Sequence, residues 1–143
     1  MRSSRRANAS IVAGKLANMV KLSFCLRRLP ELSREEFQRY WFDNHGPLVR
    51  KHSEALRIKR YVQLHTRDDD GNQALRASRG GPEAYDGVAE LWWESRDDMI
   101  AATTTPEGVA AGRALLEDER QFIDLANSPL WLGEERPVID PSG

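Results

Sequence analysis

Residues 33–52 read SREEFQRYWFDNHGPLVRKH, and the rest of the chain is best read outward from them. Ser33 and Glu36 form a capping-box pair, in which each side chain accepts the other residue's orphaned backbone N–H and so starts a helix. Phe37, Trp41 and Leu48 follow at helical spacing and mark an apolar stripe. Pro47 has no N–H, and its ring crowds the carbonyl four residues back, so the helix is expected to kink or stop near His45. That places an imidazole, whose proton comes and goes near neutral pH, at an irregular helix end on the inward stripe.

Upstream, VKLSFCLRR (20–28) alternates. Val20, Leu22, Phe24 and Leu26 take one face, with Lys21, Ser23, Cys25 and Arg27 on the other, as in a half-buried strand. The folded domain, and the natural translation start with it, is expected to begin at Met19 and run through residues 19–143. Residues 1–18 open with three arginines in six positions and continue through ASIVAGKLANM. Lys15 interrupts this weak apolar region, so the segment makes a poor signal peptide. A disordered or loosely attached N-terminal leader is expected there.

Downstream, the helix should resume past Pro47 to about Arg57. IKRYVQLHT (58–66) alternates again, with Ile58, Val62 and Leu64 opposite Tyr61, Gln63 and His65. Residues 67–85 read as a long polar loop, a kind of segment that is often a functional lid or disordered. DGVAELWWE (86–94) is a third strand: Gly87, Ala89, Leu91 and Trp93 share one face, Asp86, Val88, Glu90 and Trp92 the other. Ser95 with Asp98 caps a helix. Thr105-Pro106-Glu107 starts another, with proline in the tolerated first turn. A last strand is expected over 130–139, and Pro137 confines part of it to an edge or bulge.

The order strand, helix, strand, strand, helices, strand is the βαββαβ pattern of a ferredoxin-like α+β sandwich. Helices should cover the more apolar sheet face. The other face is expected to collect Tyr61, Gln63, His65, Glu90 and Trp92, with Ser23 and Cys25 nearby. Such a mixture suits neither open water nor a dry core, so a second copy should cover it in an isologous homodimer.

Composition narrows the function. The chain has 143 residues, 40% hydrophobic and 30% charged, with a net charge of −1. This fits one ordinary domain and gives no electrostatic reason to expect nucleic acid. Its apolar runs are too short to cross a bilayer. The single cysteine, Cys25, excludes an intrachain disulfide and multi-cysteine metal sites, and a cytoplasmic setting is expected. His45, His52 and His65 lack metal-site spacing, and no phosphate loop or dinucleotide fingerprint is present, so neither a metal nor another cofactor is expected.

The segments LRR, LSREEFQRYWFDNHGPLVRKH, RYVQLH and YDGVAELWWES together resemble the EthD family, a branch of the dimeric α+β barrel superfamily. The resemblance spans roughly residues 20–139, and its most specific part is FxxYW…HGPLV. It implies a ferredoxin-like monomer whose sheet pairs with a partner to form a dimeric α/β barrel. It also implies acid–base chemistry on a small aromatic, lactone or polyketide-derived compound, often without a cofactor. A cofactor-independent lyase or isomerase of the decarboxylase, dehydratase or cyclase type is the leading expectation. A non-catalytic ligand-binding accessory protein for an oxygenase system and a heme-dependent monooxygenase are the alternatives.

His45 matches a histidine of the isomerase relatives, which implies an acid–base or anchoring role; a helix-end histidine that merely satisfies a carbonyl is the plainer reading. Tyr61 and His65 lie on one strand face and could reach one cavity, or could serve only as interface and strand-end residues. Glu90 against an aromatic wall would become a usable proton donor or base, or would pair with a nearby cation. Trp41 and Trp92 are expected to shape the substrate-binding pocket. Cys25 is a third substrate-binding candidate and could face the cavity as a nucleophile, although a lone cysteine is more ordinarily a small inert hydrophobe.

Overall fold

The computed structural model describes residues 19–141, and the leader expected over residues 1–18 lies outside that range. Both halves of the capping box are formed. The Glu36 N–H donates to Ser33 Oγ at 3.1 Å and the Ser33 N–H to Glu36 Oε1 at 3.0 Å, opening α1 (Arg34–Tyr40). Pro47 neither ends nor breaks the helix. A π-helical turn over Trp41–His45 absorbs it, with the Gly46 N–H reaching back five residues to the Trp41 carbonyl. The chain then continues as α2 (Gly46–His52). Gly46 holds helical φ and ψ of −53° and −53°, a conformation that a Cβ would crowd in front of a proline ring. The helix does not reach Arg57: a turn follows His52, and Arg57 adopts a left-handed φ of 58°.

Four strands, β1 (Val20–Leu26), β2 (Arg60–His65), β3 (Gly87–Trp93) and β4 (Leu130–Glu134), form one sheet in the order β2-β3-β1-β4. Every pairing is antiparallel. This is the ferredoxin-like arrangement expected from the sequence. The segment read as a polar loop contains a helix, α3 (Asp70–Arg79), started by Asp69 and ended by left-handed Gly80. It buries none of its residues, which is why no apolar periodicity announced it. Two further helices, α4 (Arg96–Ala102) and α5 (Pro106–Glu119), follow β3, each with its expected cap. β4 is an edge strand that ends before Pro137.

The core lies between the first helical unit, the chain just past α5, and one sheet face. Phe37 and Trp41 meet Phe122 and Ile123 over Phe24, Leu26 and Ala89. Burying side chains of this size stabilises the fold by about 1.5–3 kcal/mol each. The register decides which other residues share that face. Leu22 opposes Leu91 and Phe24 opposes Ala89. On the other side of β3, Tyr61 opposes Leu91, Gln63 opposes Ala89 and His65 opposes Gly87. Directly opposed residues project to the same side of a sheet, so Tyr61, Gln63 and His65 point toward the helices.

This corrects the expectation that Tyr61 and His65 share a face with Glu90, Trp92 and Cys25. On edge strand β2 the apolar set, Val62 and Leu64, takes the open face, and Leu64 is 57% exposed. The polar set turns inward because the helix side offers it hydrogen-bond partners, and paired polar groups can be buried at little cost. Gly87 makes room for this: a Cβ there would stand 2.4 Å from Trp41 Cζ3.

Candidate functional site

Two polar clusters are set into the apolar layer between helices and sheet. The first centres on His45, the last residue of the π turn, which is 5% exposed. Its Nδ1 lies 2.7 Å from Asp118 Oδ2, and the Tyr40 hydroxyl donates to Asp118 Oδ1 at 2.6 Å. Burial pushes His45 below its usual imidazole range, and the Asp118 carboxylate opposes this without reversing it. The ring is therefore neutral at neutral pH. A carboxylate can only accept, so Nδ1 carries the hydrogen and Nε2 the basic lone pair. Asp118 in turn holds the Tyr40 phenol up to about 12, chiefly through their hydrogen bond.

The second cluster sits on β2. Trp41 Nε1–H donates to the Tyr61 hydroxyl oxygen at 3.2 Å, and Gln63 Nε2 donates to the same oxygen at 2.9 Å. Gln63 Nε2 also donates to the Trp41 carbonyl at 3.0 Å, while its Oε1 accepts from His65 Nε2 at 2.8 Å. The π turn and β2 are thus tied together through one amide. His65 stacks on Trp41 with centroids 4.6 Å apart, and Phe42 meets its edge at 6.0 Å. Burial lowers the His65 affinity for a proton and raises the Tyr61 phenol to about 12. Tyr61 accepts two hydrogen bonds and remains a phenol, so its own hydrogen is still available to a further acceptor.

A groove of about 710 Å³ opens between the π turn, α2 and β2, lined by Phe42, Pro47, Val49, Tyr61, Gln63 and His65 among others. It lies within the ordinary size range of small-molecule sites. Near Tyr61, at the end of α5, stands Glu119. Burial, with the neighbouring Asp118 charge, pushes its carboxyl up to about 7. Among the described residues its side chain has no hydrogen-bond or ion-pair partner.

The remaining expected residues lie across the sheet. Glu90 pairs with Lys21 at 3.0 Å, a within-chain version of the salt bridge weighed against its catalytic role. Trp92 is clasped between Lys21 Nζ at 4.7 Å and the Arg60 guanidinium at 4.6 Å, and its indole N–H donates to Glu135. Cys25 opposes Val88 on that same open face, and burial raises its thiol. The structure therefore brings together Tyr61, His65 and Trp41, leaves His45 in its own cluster with Asp118, and separates all of these from Glu90, Trp92 and Cys25. Asp118 and Glu119 went unmarked in the sequence, and Gln63 was placed on the face of Tyr61 and His65 without a role of its own. LLEDER (115–120) reads as a solvated helix end, although Asp118 stands three residues past buried Leu115 and so on its inward face. Among the described residues, no three metal-ligand-type side chains are grouped closely enough to hold an ion.

The family model of the EthD domain matches residues 29–126. The chain belongs to the EthD family. No curated protein matches the sequence, but solved structures do. An EthD family protein from Bacillus halodurans is 24% identical with a TM-score of 0.55, and the match covers 82% of this chain and 99% of that one. An EthD-like protein from Ralstonia eutropha is 18% identical with a TM-score of 0.53, over 84% and 96% of the two chains. SnoaB from Streptomyces nogalater, described as a cofactor-independent oxygenase, is 16% identical with a TM-score of 0.50, over 86% and 98%. At these identities the likeness is one of fold. This EthD chain thus spans nearly the whole of each of these neighbours.

Proposed function

We propose that this EthD protein is a cofactor-independent acid–base enzyme, a lyase or isomerase acting on a small aromatic, lactone or polyketide-derived compound. The observation that carries the reading is the buried, neutral His45 whose Nδ1–H is held by Asp118. An imidazole fixed in one tautomer by a carboxylate is a prepared general base, and such groups contribute about 10²–10⁴-fold to proton-transfer rates. Tyr61 and His65 at the wall of the groove are the further proton handlers. Trp41 shapes the site through its stack on His65. Glu90, Trp92 and Cys25 belong to the sheet face that a second copy covers, where Leu64 and Trp131 are 57% and 52% exposed. A dimeric ferredoxin-like neighbour from Thermobifida fusca, with a TM-score of 0.52, supports that assembly.

The test is α-proton exchange in D2O, followed by proton NMR across a panel of enolisable ketones, lactones and phenolic polyketide fragments. The wild-type protein should accelerate exchange for at least one class, and His45→Ala and Asp118→Asn should each slow it at least about 100-fold. Compounds that bind tightly but exchange no faster than in buffer would overturn the reading and favour a ligand-carrying accessory protein. A Soret band on mixing with hemin, together with hemin-dependent turnover, would favour the monooxygenase alternative. Oxygenation without a cofactor, the activity by which SnoaB is described, would start from the same deprotonation, and oxygen uptake would reveal it.

A further inference from the structure

We infer that Gln63 is the positioning residue that fixes His65 in its Nε2–H tautomer and so presents Nδ1 as the basic atom of the groove wall. This rests on the acid–base reading of the site and adds to it the atom through which His65 acts and the side chain that sets it. The hydrogen bonds carry it. Gln63 Nε2 lies 3.0 Å from the Trp41 carbonyl oxygen and 2.9 Å from the Tyr61 hydroxyl oxygen. A carbonyl can only accept, so the amide nitrogen and not the amide oxygen must stand there. Turning the amide over would set its oxygen against the Trp41 oxygen, two acceptors with no hydrogen between them. Both amide hydrogens are thereby committed, one to Trp41 and one to Tyr61. Oε1 is left facing His65 Nε2 at 2.8 Å, and it too can only accept. The hydrogen in that bond therefore belongs to His65 Nε2, and the lone pair of the neutral ring falls on Nδ1.

The chain of bonds is anchored in backbone. The Trp41 carbonyl that orients the amide also accepts the Gly46 N–H across the π turn, so a main-chain group that cannot flip sets the tautomer of a side chain on β2. The ring itself is held flat on Trp41, with Phe42 at its edge. It lines the groove, and among the described residues its Nδ1 has no hydrogen-bond partner. Asp118 holds His45 in the opposite tautomer, so the two imidazoles offer different nitrogens. In the forward step a C–H or O–H bond of the ligand breaks and an N–H bond forms at His65 Nδ1, while the ligand keeps the electron pair as an enolate or phenolate. The imidazolium goes on donating from Nε2 to Gln63 Oε1, so no group has to turn as charge develops. The reverse step returns the proton to another ligand atom, which is isomerisation, or to a leaving group. No oxidant or reductant is needed.

The experiment reads the tautomer directly by NMR of protein carrying 15N-histidine, at a pH where His65 is neutral. His65 Nε2 should appear as a protonated nitrogen with its hydrogen visible, and Nδ1 as a lone-pair nitrogen. Gln63→Met keeps the length of the side chain and removes its hydrogen bonds, so the Nε2 hydrogen should be lost to exchange with water. Gln63→Glu keeps an acceptor for that hydrogen and should retain it. In the α-proton exchange assay Gln63→Met should lower kcat at least about tenfold with KM within about twofold of the parent. The His45 signals should stay in place, as a general loosening of the fold would not allow. An Nδ1–H tautomer in the parent protein, an Nε2 hydrogen that survives Gln63→Met, or exchange at the parent rate in that variant would overturn the inference and leave the His45 reading intact. If Gln63→Met does not fold, loss of the Nε2 hydrogen in Gln63→Glu would overturn it instead. A parent protein that exchanges no panel compound would overturn the acid–base reading, and this inference with it.

Discussion

Gly87→Ala tests the seating of Trp41, on which the groove depends. The new Cβ would lie 2.4 Å from Trp41 Cζ3, 2.8 Å from Cη2 and 2.9 Å from the Leu64 carbonyl oxygen. Carbon atoms in contact prefer about 3.5–4.0 Å, so the ring must move by roughly an ångström, and the Leu64 backbone cannot give way easily. Overpacking of this kind costs about 1–3 kcal/mol. A displaced indole also strains the Trp41–Tyr61 hydrogen bond, which adds about 0.5–1.5 kcal/mol. A total near 2–4 kcal/mol is expected. With a urea slope of about 1–3 kcal/mol per molar, the unfolding midpoint should fall by about 1–2 M at fixed protein concentration. The Trp41 indole N–H resonance should shift, and Trp41→Phe should rescue part of the loss in a double-mutant cycle. A variant within about 0.5 kcal/mol of the parent, with the indole signal unmoved, would refute the packing argument.

Asp86 is 3% exposed and accepts from the Arg28 N–H, Arg28 Nη1 and Arg34 Nε. Burial alone would raise its carboxyl, but those donors hold it below its ordinary 3.8, so its stabilisation is complete above that value and is lost as pH falls through the folded-state value. Asp86→Asn should cost about 2–3 kcal/mol near pH 7, toward the low end for a broken buried pair because both guanidiniums keep water contact; urea titrations at pH 7 and pH 3 check the size and its decline. Glu119 behaves oppositely. Between its unfolded 4.5 and its folded value of about 7, the folded state keeps a proton that the unfolded state has released, so stability falls as pH rises. At about 1.4 kcal/mol per pH unit, Glu119→Gln should be up to ~3 kcal/mol more stable than the parent at pH 8 and indistinguishable from it near pH 4, as thermal melts at the two pH values would report. Leu75 is 66% exposed on α3, which buries nothing. Leu75→Ala should therefore leave the unfolding midpoint within about 0.5 kcal/mol of the parent.

Local chemistry made much of the fold readable. Ser33, Ser95 and Thr105 each cap the helix expected of them, and the alternation of β1 and β3 gave their faces correctly because both are interior strands of the sheet. β2 misled because alternation states which residues share a face but not which face is covered. On an edge strand the covered face was the polar one. His45, Tyr61 and Trp41 stood out as candidates through their neighbours in sequence. Asp118 and Glu119 did not, because they arrive from a helix end more than fifty residues away, and only the folded chain shows that their charges are turned inward.

The π turn carries a last consequence. Phe37, Trp41, His45 and Val49 are all buried, a spacing of four throughout. An α-helix turns about 100° per residue, so each such step overruns a full turn by about 40°, and Val49 would end about 120° away from Phe37. The underwound turn takes back part of that rotation and brings four rows of one screw onto a single side. The three residues between Trp41 and His45 are exposed, so what the buried row requires of them is their number. Removing one would swing everything downstream, Gly46-Pro47 and the groove wall included, by about a quarter of a turn. What this segment encodes is a count.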